Sequence, residues 1–165
     1  MLLFCDMDGV LVDFMEGAQR YSNGLINWNN LQTLTRKETW DLLGEFGEHF
    51  WKDLKWMPEG KELWENIKKY DPYILSAFPG NNTNTAKHRE YALHGKIEWV
   101  AENLGNHFVN KTIVCGGNEK QLFARGNILI DDYEKNIQRW KKCGGIGILH
   151  TSTDKTLKKV YKLLK

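Results

Sequence analysis

The stretch Leu2-Leu3-Phe4-Cys5-Asp6-Met7-Asp8-Gly9-Val10-Leu11 sets the strongest limit on what this chain can fold into. An apolar run stops abruptly at two carboxylates two residues apart, and a glycine follows. Continuous hydrophobicity from Leu2 to Cys5, in place of alternation, predicts a short strand covered on both faces. The carboxyl end of such a strand is where an open α/β sheet places its chemistry. Gly9 permits the tight backbone course by which Asp6 and Asp8 face one small site. Taken alone, the string reads equally well as a strand followed by an acidic turn.

Further along, the residues from 13 to 56 differ from the rest. Trp28, Trp40, Phe46, Phe50, Trp51 and Trp56 stand there among polar residues, glycines and asparagines, with no convincing strand. The T-x-x-E string from Thr35 to Glu38 predicts a capped helix over Thr35–Leu43. We read 13–56 as a small helical cap inserted after the first strand, and 1–12 with 57–165 as an α/β core. Pro58 is expected as a first helical residue, with Leu63, Trp64, Ile67 and Tyr70 on the apolar face. Tyr73-Ile74-Leu75 is a second strand, ending at Ser76, and Gly80 to Thr85 is a loop by composition. Leu93, Ile97, Val100, Ala101 and Leu104 form a helical stripe that Gly105 stops. Thr112–Cys115, Asn127–Ile130 and Ile146–Leu149 complete the strands, with a short helical piece over Glu119–Ala124 and a last helix capped by Ser152 or Thr153.

Strands alternating with helices imply a doubly wound parallel sheet of the Rossmann-like α/β class. Three strand ends then carry Asp6 with Asp8, Ser76, and Asp131 with Asp132, and in a parallel sheet those ends share one edge. Adjacent buried aspartates repel and resist desolvation, so they call for a cation. A hard divalent ion with oxygen ligands meets that demand, and Mg²⁺ is the usual choice where carboxylates and phosphate meet. Lys120, just after the third strand's glycine turn, reads as a surface lysine on its own and as a site cation in company with the other strand ends.

These residues carry a resemblance. Asp6-Met7-Asp8-Gly9-Val10-Leu11-Val12-Asp13-Phe14, Ile74-Leu75-Ser76, Lys120 and Ile128-Leu129-Ile130-Asp131-Asp132 resemble the four motifs of the haloacid dehalogenase-type phosphatases. More narrowly, D-M-D-G-V-L-x-D-F, I-L-I-D-D, the stretch Phe50 to Gly60 and the K-x-x-W-V segment at Lys96 to Val100 resemble the 5'(3')-deoxyribonucleotidase group. The resemblance implies an aspartyl-phosphate mechanism on deoxyribonucleoside monophosphates, with Asp6 as nucleophile and Asp8 as general acid and base. It implies that Ser76 and the backbone at Ala77 hold phosphate oxygens, that Lys120 neutralises charge, and that Phe14 contacts the substrate. Mg²⁺ is then held by Asp6, the backbone carbonyl of Asp8, and one or both of Asp131 and Asp132, with Asp132 favoured as the direct ligand. Two departures stand out: Ser76-Ala77 occupies a place where the family often has Thr-Ser, and Lys120 lies one residue further from the aspartate pair than in animal members. Lys96 is a second candidate for the site cation, and Trp28 for the base-stacking ring.

The remaining features fit a cytoplasmic enzyme with a small-molecule nucleotide substrate. The formal net charge of +2 demands neither nucleic acid nor membrane, and no stretch approaches the roughly 18 apolar residues of a membrane span. The chain opens on a core strand, which leaves no room for a targeting peptide. Cys5, Cys115 and Cys143 read as reduced, buried thiols. The five histidines show no zinc spacing, and the glycines after Cys143 precede a strand and open no helix, which argues against a dinucleotide fingerprint. Asp13 suits either a helix cap or the nucleophile loop. Two other functions compete: removal of phosphate from nucleic-acid ends, which the near-neutral charge disfavours, and a noncatalytic phosphate-binding module, which has no need of a nucleophile beside an acid.

Overall fold

The computed structural model describes residues 1–27, 34–79 and 86–164. Trp28 and the loop expected from Gly80 to Thr85 lie outside the described residues. The elements are β1 (Leu3–Cys5), α1 (Phe14–Tyr21), α2 (Arg36–Gly44), α3 (Glu48–Lys52), α4 (Gly60–Ile67), β2 (Tyr73–Ala77), α5 (Ala86–Asn103), α6 (Asn106–Val109), β3 (Thr112–Cys115), β4 (Ile128–Asp131), α7 (Glu134–Lys142), β5 (Ile146–Leu149) and α8 (Thr153–Leu163). Short 3-10 turns cover Lys68–Tyr70 and Lys120–Phe123. No helix among the described residues is long and apolar enough to cross a membrane.

The chain divides into two compact units. The first comprises Met1–Val12, Trp56–Ala77 and Lys111–Lys165. Its sheet has five strands in the order β3-β2-β1-β4-β5, every pair parallel. β1 and β4 are buried along their whole length, as strands flanked on both sides and covered on both faces must be. The edge strands β3 and β5 are more open. On one face Phe4, Leu75 and Leu129 pack with Ala124, Ile137 and Trp140, and the Phe4 ring meets that of Trp140 edge-on at 5.5 Å. Leu3, Cys5, Ile74, Ile128 and Ile130, of opposite parity, are buried on the other face. Register places Cys5 opposite Ile74 on one side and Ile130 on the other, so Asp6 emerges level with Asp131.

The second unit comprises Asp13–Lys55 and Phe78–Asn110 and is helical. This differs from the boundary read in the sequence, which leaves 78–110 with the core. α5 is drawn to α3 by packing: a Cβ at Gly95 would stand 2.5 Å from both the Glu48 carbonyl oxygen and the Trp51 Cβ. The Trp99 indole N–H donates to the Leu54 carbonyl at 2.7 Å, which anchors the C-terminal part of α5. The unit's interior is aromatic. Phe14 lies 5.8 Å from Trp40, 5.5 Å from Phe50 and 5.8 Å from Trp51, centroid to centroid.

Local sequence signals predict most boundaries. The Thr35 hydroxyl accepts from Glu38 N–H while the Glu38 carboxylate accepts from Thr35 N–H, a complete capping box on α2. Asp13 caps α1, its Oδ1 accepting from Glu16 N–H at 2.9 Å, and Ser152 caps α8. α4 starts later than expected: Pro58 sits in a turn closed by Gly60 N–H on the Met57 carbonyl, and Met57 is itself bonded to Leu11. Of the three free cysteines only Cys5 is buried, and Cys143 is exposed because it follows the last turn of α7 at the surface.

Candidate active site

β1, β2 and β4 bring their polar ends together on the carboxyl edge of the first unit's sheet. Asp6 leaves β1 with its N–H on the Ile130 carbonyl at 2.8 Å, which locks the residue to β4. Its Oδ1 accepts from Met7 N–H at 2.7 Å. Leu11 and Val12 N–H groups both return to the Met7 carbonyl at 2.8 and 3.0 Å, which closes the loop after the strand. Gly9 is needed in that loop on two counts. Its φ is +77°, and a Cβ there would lie 2.2 Å from Asp132 Oδ2.

Lys120 is the electrostatic centre. Its ammonium lies 2.8 Å from Asp6 Oδ2 and 2.8 Å from Asp131 Oδ2, with 2% of the residue exposed. Burial alone would lower the lysine's pKa, but Asp6 and Asp131 outweigh it and hold the ammonium charged. Asp131 is fully buried, and its other oxygen, Oδ1, accepts from Tyr133 N–H at 2.8 Å. The Asn136 amide donates a further bond to Asp131 Oδ2 at 3.0 Å. Asp6 is pushed well above the usual carboxylate range by burial, pulled back by Lys120, and pushed up again by Asp131 and Asp8. Asp132, unlike Asp131, is exposed, so only the first of the expected pair of buried aspartates is buried; partial desolvation of its carboxyl and the neighbouring Asp131 push Asp132 up to about 6. The Cys5 thiol, behind this cluster, is raised first by burial and then by Asp6 and Asp131.

One oxygen from each of Asp6, Asp131 and Asp132 lies within 4.8 Å of the others. With Asp8 nearby, these three carboxylates outnumber the Lys120 ammonium among the described residues and leave an excess of negative charge, which adds to burial in raising Asp6 and Asp132. A hard divalent cation with oxygen donors fits this set, since it would balance the charge that Lys120 leaves over. The set is formed by side chains, and Asp8 enters the sequence reading through its carbonyl. The hydroxyl of Ser76, the last buried residue of β2, donates to Asp8 Oδ2 at 3.4 Å. Ala77 closes the same strand, in register with Cys115.

A model of the family described as "5' nucleotidase, deoxy (Pyrimidine), cytosolic type C protein" matches residues 1–162. The chain belongs to this family. One solved structure is similar in fold, and a second aligns with the chain at a lower score. A hydrolase from Streptococcus pneumoniae TIGR4 is 14% identical, with a TM-score of 0.56 and 97% of each chain covered. A dehalogenase is 11% identical, with a TM-score of 0.48, covering 99% of this chain and 96% of its own. A comparison with curated proteins gives no match. As a member of the nucleotidase family, the protein is a haloacid dehalogenase-type hydrolase acting on phosphate monoesters, with a small nucleotide as substrate.

Within this nucleotidase the sequence-predicted residues separate by unit. Asp6, Asp8, Ser76, Ala77, Lys120, Asp131 and Asp132 all belong to the sheet unit, whereas Phe14 and Lys96 belong to the helical one. Phe14 is half-buried in the aromatic cluster. Lys96 is fully buried, its ammonium 4.7 Å from the centroid of the Trp51 ring. Trp40, Trp51, His88 and Tyr91 line a small cavity in that unit, together with Gly44 and Gly47. Sequence reading missed Asn136 and the Tyr133 N–H. The D-D-x-x-x-N spacing after β4 was the available signal, because it sets Asn136 in the first turn of the helix that starts at the site.

Proposed function

We propose that this nucleotidase is a Mg²⁺-dependent phosphatase of deoxyribonucleoside monophosphates, working through an aspartyl-phosphate on Asp6. The observation that carries the reading is the buried bridge of Lys120 between Asp6 and Asp131, with Asp132 beside it. Asp6, Asp132 and the carbonyl of Asp8 would hold the cation, with Asp131 adjoining them. The cation supplies charge neutralisation for the phosphoryl oxygens.

Asp6 attacks phosphorus, and the bond from phosphorus to the ester oxygen breaks. Asp8 gives its proton to the departing oxygen. Asp8 then takes a proton from water, whose oxygen attacks phosphorus; the bond to Asp6 breaks and inorganic phosphate leaves. Throughout, Lys120 offsets the negative charge on Asp6 and on the transferring group. The Met7 N–H keeps the Asp6 carboxylate in one orientation, and the Ser76 hydroxyl serves both Asp8 and the phosphate cradle with Ala77. Phe14 is assigned to the nucleoside part of the substrate.

The test is phosphate release from deoxy- and ribonucleoside 5'- and 3'-monophosphates and from a small generic phosphate ester, in Mg²⁺ and in EDTA. Release that needs Mg²⁺ and favours deoxynucleotides is expected, and Phe14→Ala should raise KM for nucleotides more than for the generic ester. Activity unaffected by EDTA, or equal on ribo- and deoxynucleotides, would contradict the metal or the substrate assignment respectively.

A further inference from the structure

Asp131 Oδ2 receives two donors, the Lys120 ammonium at 2.8 Å and the Asn136 amide at 3.0 Å. Oδ1 takes the Tyr133 N–H at 2.8 Å. Both oxygens of a fully buried carboxylate are therefore engaged. Their directions are set by β4, which ends at Asp131, and by the start of α7, which carries Asn136. Lys120 itself comes from a 3-10 turn, and its long, flexible stem leaves the ammonium's position to its partners.

We propose that Asn136 is a positioning residue of the phosphatase, one that holds Lys120 on Asp6. A carboxylate oxygen offers two in-plane directions for donors. With the Asn136 amide on one of them, the ammonium is kept on the other, from which it also reaches Asp6 Oδ2 at 2.8 Å. Without the amide, Oδ2 can turn its whole acceptor capacity to Lys120, and the lysine retreats from the nucleophile toward Asp131. The amide's neutrality matters as well, because a further carboxylate at this place would compete with Asp6 for the same ammonium.

A competing, merely structural account is that Asn136 ties the first turn of α7 to the end of β4. The Tyr133 N–H already makes that tie through Asp131 Oδ1, and α7 has no side-chain cap at Tyr133. The two accounts differ in what a variant does to Lys120.

The inference rests on the phosphatase reading above, so the test has one arm on geometry and one on activity. Asn136→Leu keeps the volume and removes the donor, and Asn136→Ala stands in for it if leucine prevents folding. In a crystal structure of the variant, Lys120 Nζ should move beyond about 4 Å from Asp6 Oδ2, outside ion-pair range, with β4 and α7 unchanged. Retention of the present contact would overturn the proposal. With a generic phosphate ester, kcat should fall about tenfold or more while KM stays within about twofold. In a Lys120→Met background, Asn136→Leu should cost no further kcat, since the residue acts through that lysine. An equal additional loss there would show an independent role and overturn the assignment. If the wild-type protein hydrolyses no phosphate ester, the functional reading fails, and the Lys120 to Asp6 distance in the variant still decides the positioning role.

Discussion

The sheet unit buries charge at one edge, whereas the helical unit buries aromatic rings, and the two hold their arrangements by different physics. At the edge, Asp6, Lys120 and Asp131 are fixed by directional bonds of 2.7–3.0 Å, each oxygen having an identified donor. In the helical unit Phe14, Trp40, Phe50 and Trp51 meet at centroid distances of 5.0–6.0 Å with interplanar angles from 19° to 87°. Ring contacts tolerate such a spread of geometry, while a buried ion triad does not. The edge is therefore sensitive to the loss of one atom and the helical unit to the loss of space.

Three changes separate the two kinds of order, beginning with the largest effect. Lys120→Met strands two buried carboxylates beside each other. It should lower kcat by at least about a hundredfold, as the loss of one charge-stabilising group does. In EDTA it should also destabilise the fold by about 3–5 kcal/mol in denaturant titrations, the usual cost of breaking a buried ion pair. A variant as stable and active as the parent would mean that the bridge is ornamental.

In the helical unit the sensitive position is Gly95. An exposed helical glycine changed to alanine gains about 1 kcal/mol. Here the new Cβ would stand 2.5 Å from the Glu48 backbone oxygen, so Gly95→Ala should instead lose about 1–3 kcal/mol by forcing α3 and α5 apart. Thermal or chemical unfolding of the variant checks the sign, and a gain would show that the helices are not in close contact.

The smallest effect concerns His150, which continues the site edge beyond β5. Its N–H is on the Asp131 carbonyl at 2.9 Å and its Nδ1 is 2.9 Å from the Thr156 hydroxyl. Burial lowers the pKa of the ring below the ordinary 6.5, against a smaller upward pull from Glu59. The unfolded chain then takes up the proton at a higher pH than the folded one. The contribution of His150 to stability is thus complete above pH 6.5 and is lost as the pH falls from there toward the folded-state pKa. An NMR titration should place the ring's midpoint below 6.5, and His150→Gln should flatten the dependence of Tm on pH just below that value. A midpoint at or above 6.5 would show that burial does not dominate there.

The contrast also explains what the sequence makes legible. Buried strands reveal themselves as uninterrupted apolar runs, and a carboxylate at the end of such a run is costly enough to announce a function. Hence Asp6, Ser76, Lys120 and the Asp131-Asp132 pair could be read onto one edge before any coordinates. The capping box at Thr35 is legible for a similar reason, since it places a specific acceptor a fixed number of residues from its donor, whereas the sequence leaves Asp13 and Ser152 as one of two alternatives each and the structure makes both of them caps. The helical unit's membership was not visible. That α5 joins α3 depends on a missing Cβ at Gly95 and on one indole bond to Leu54, neither of which has a local sequence signature. Asn136 escaped for the same reason, because an asparagine in a first helical turn is ordinary until the carboxylate it donates to is located.

The central claim is that Asp6 is the group phosphorylated in turnover, and rapid quenching with a labelled nucleotide tests it most directly. Stopped in acid during the first turnover, the protein should carry the labelled phosphoryl group on the peptide containing Asp6, and Asp6→Asn should carry none and release no phosphate. Full turnover with no labelled peptide, or undiminished phosphate release by the Asp6→Asn variant, would contradict the account.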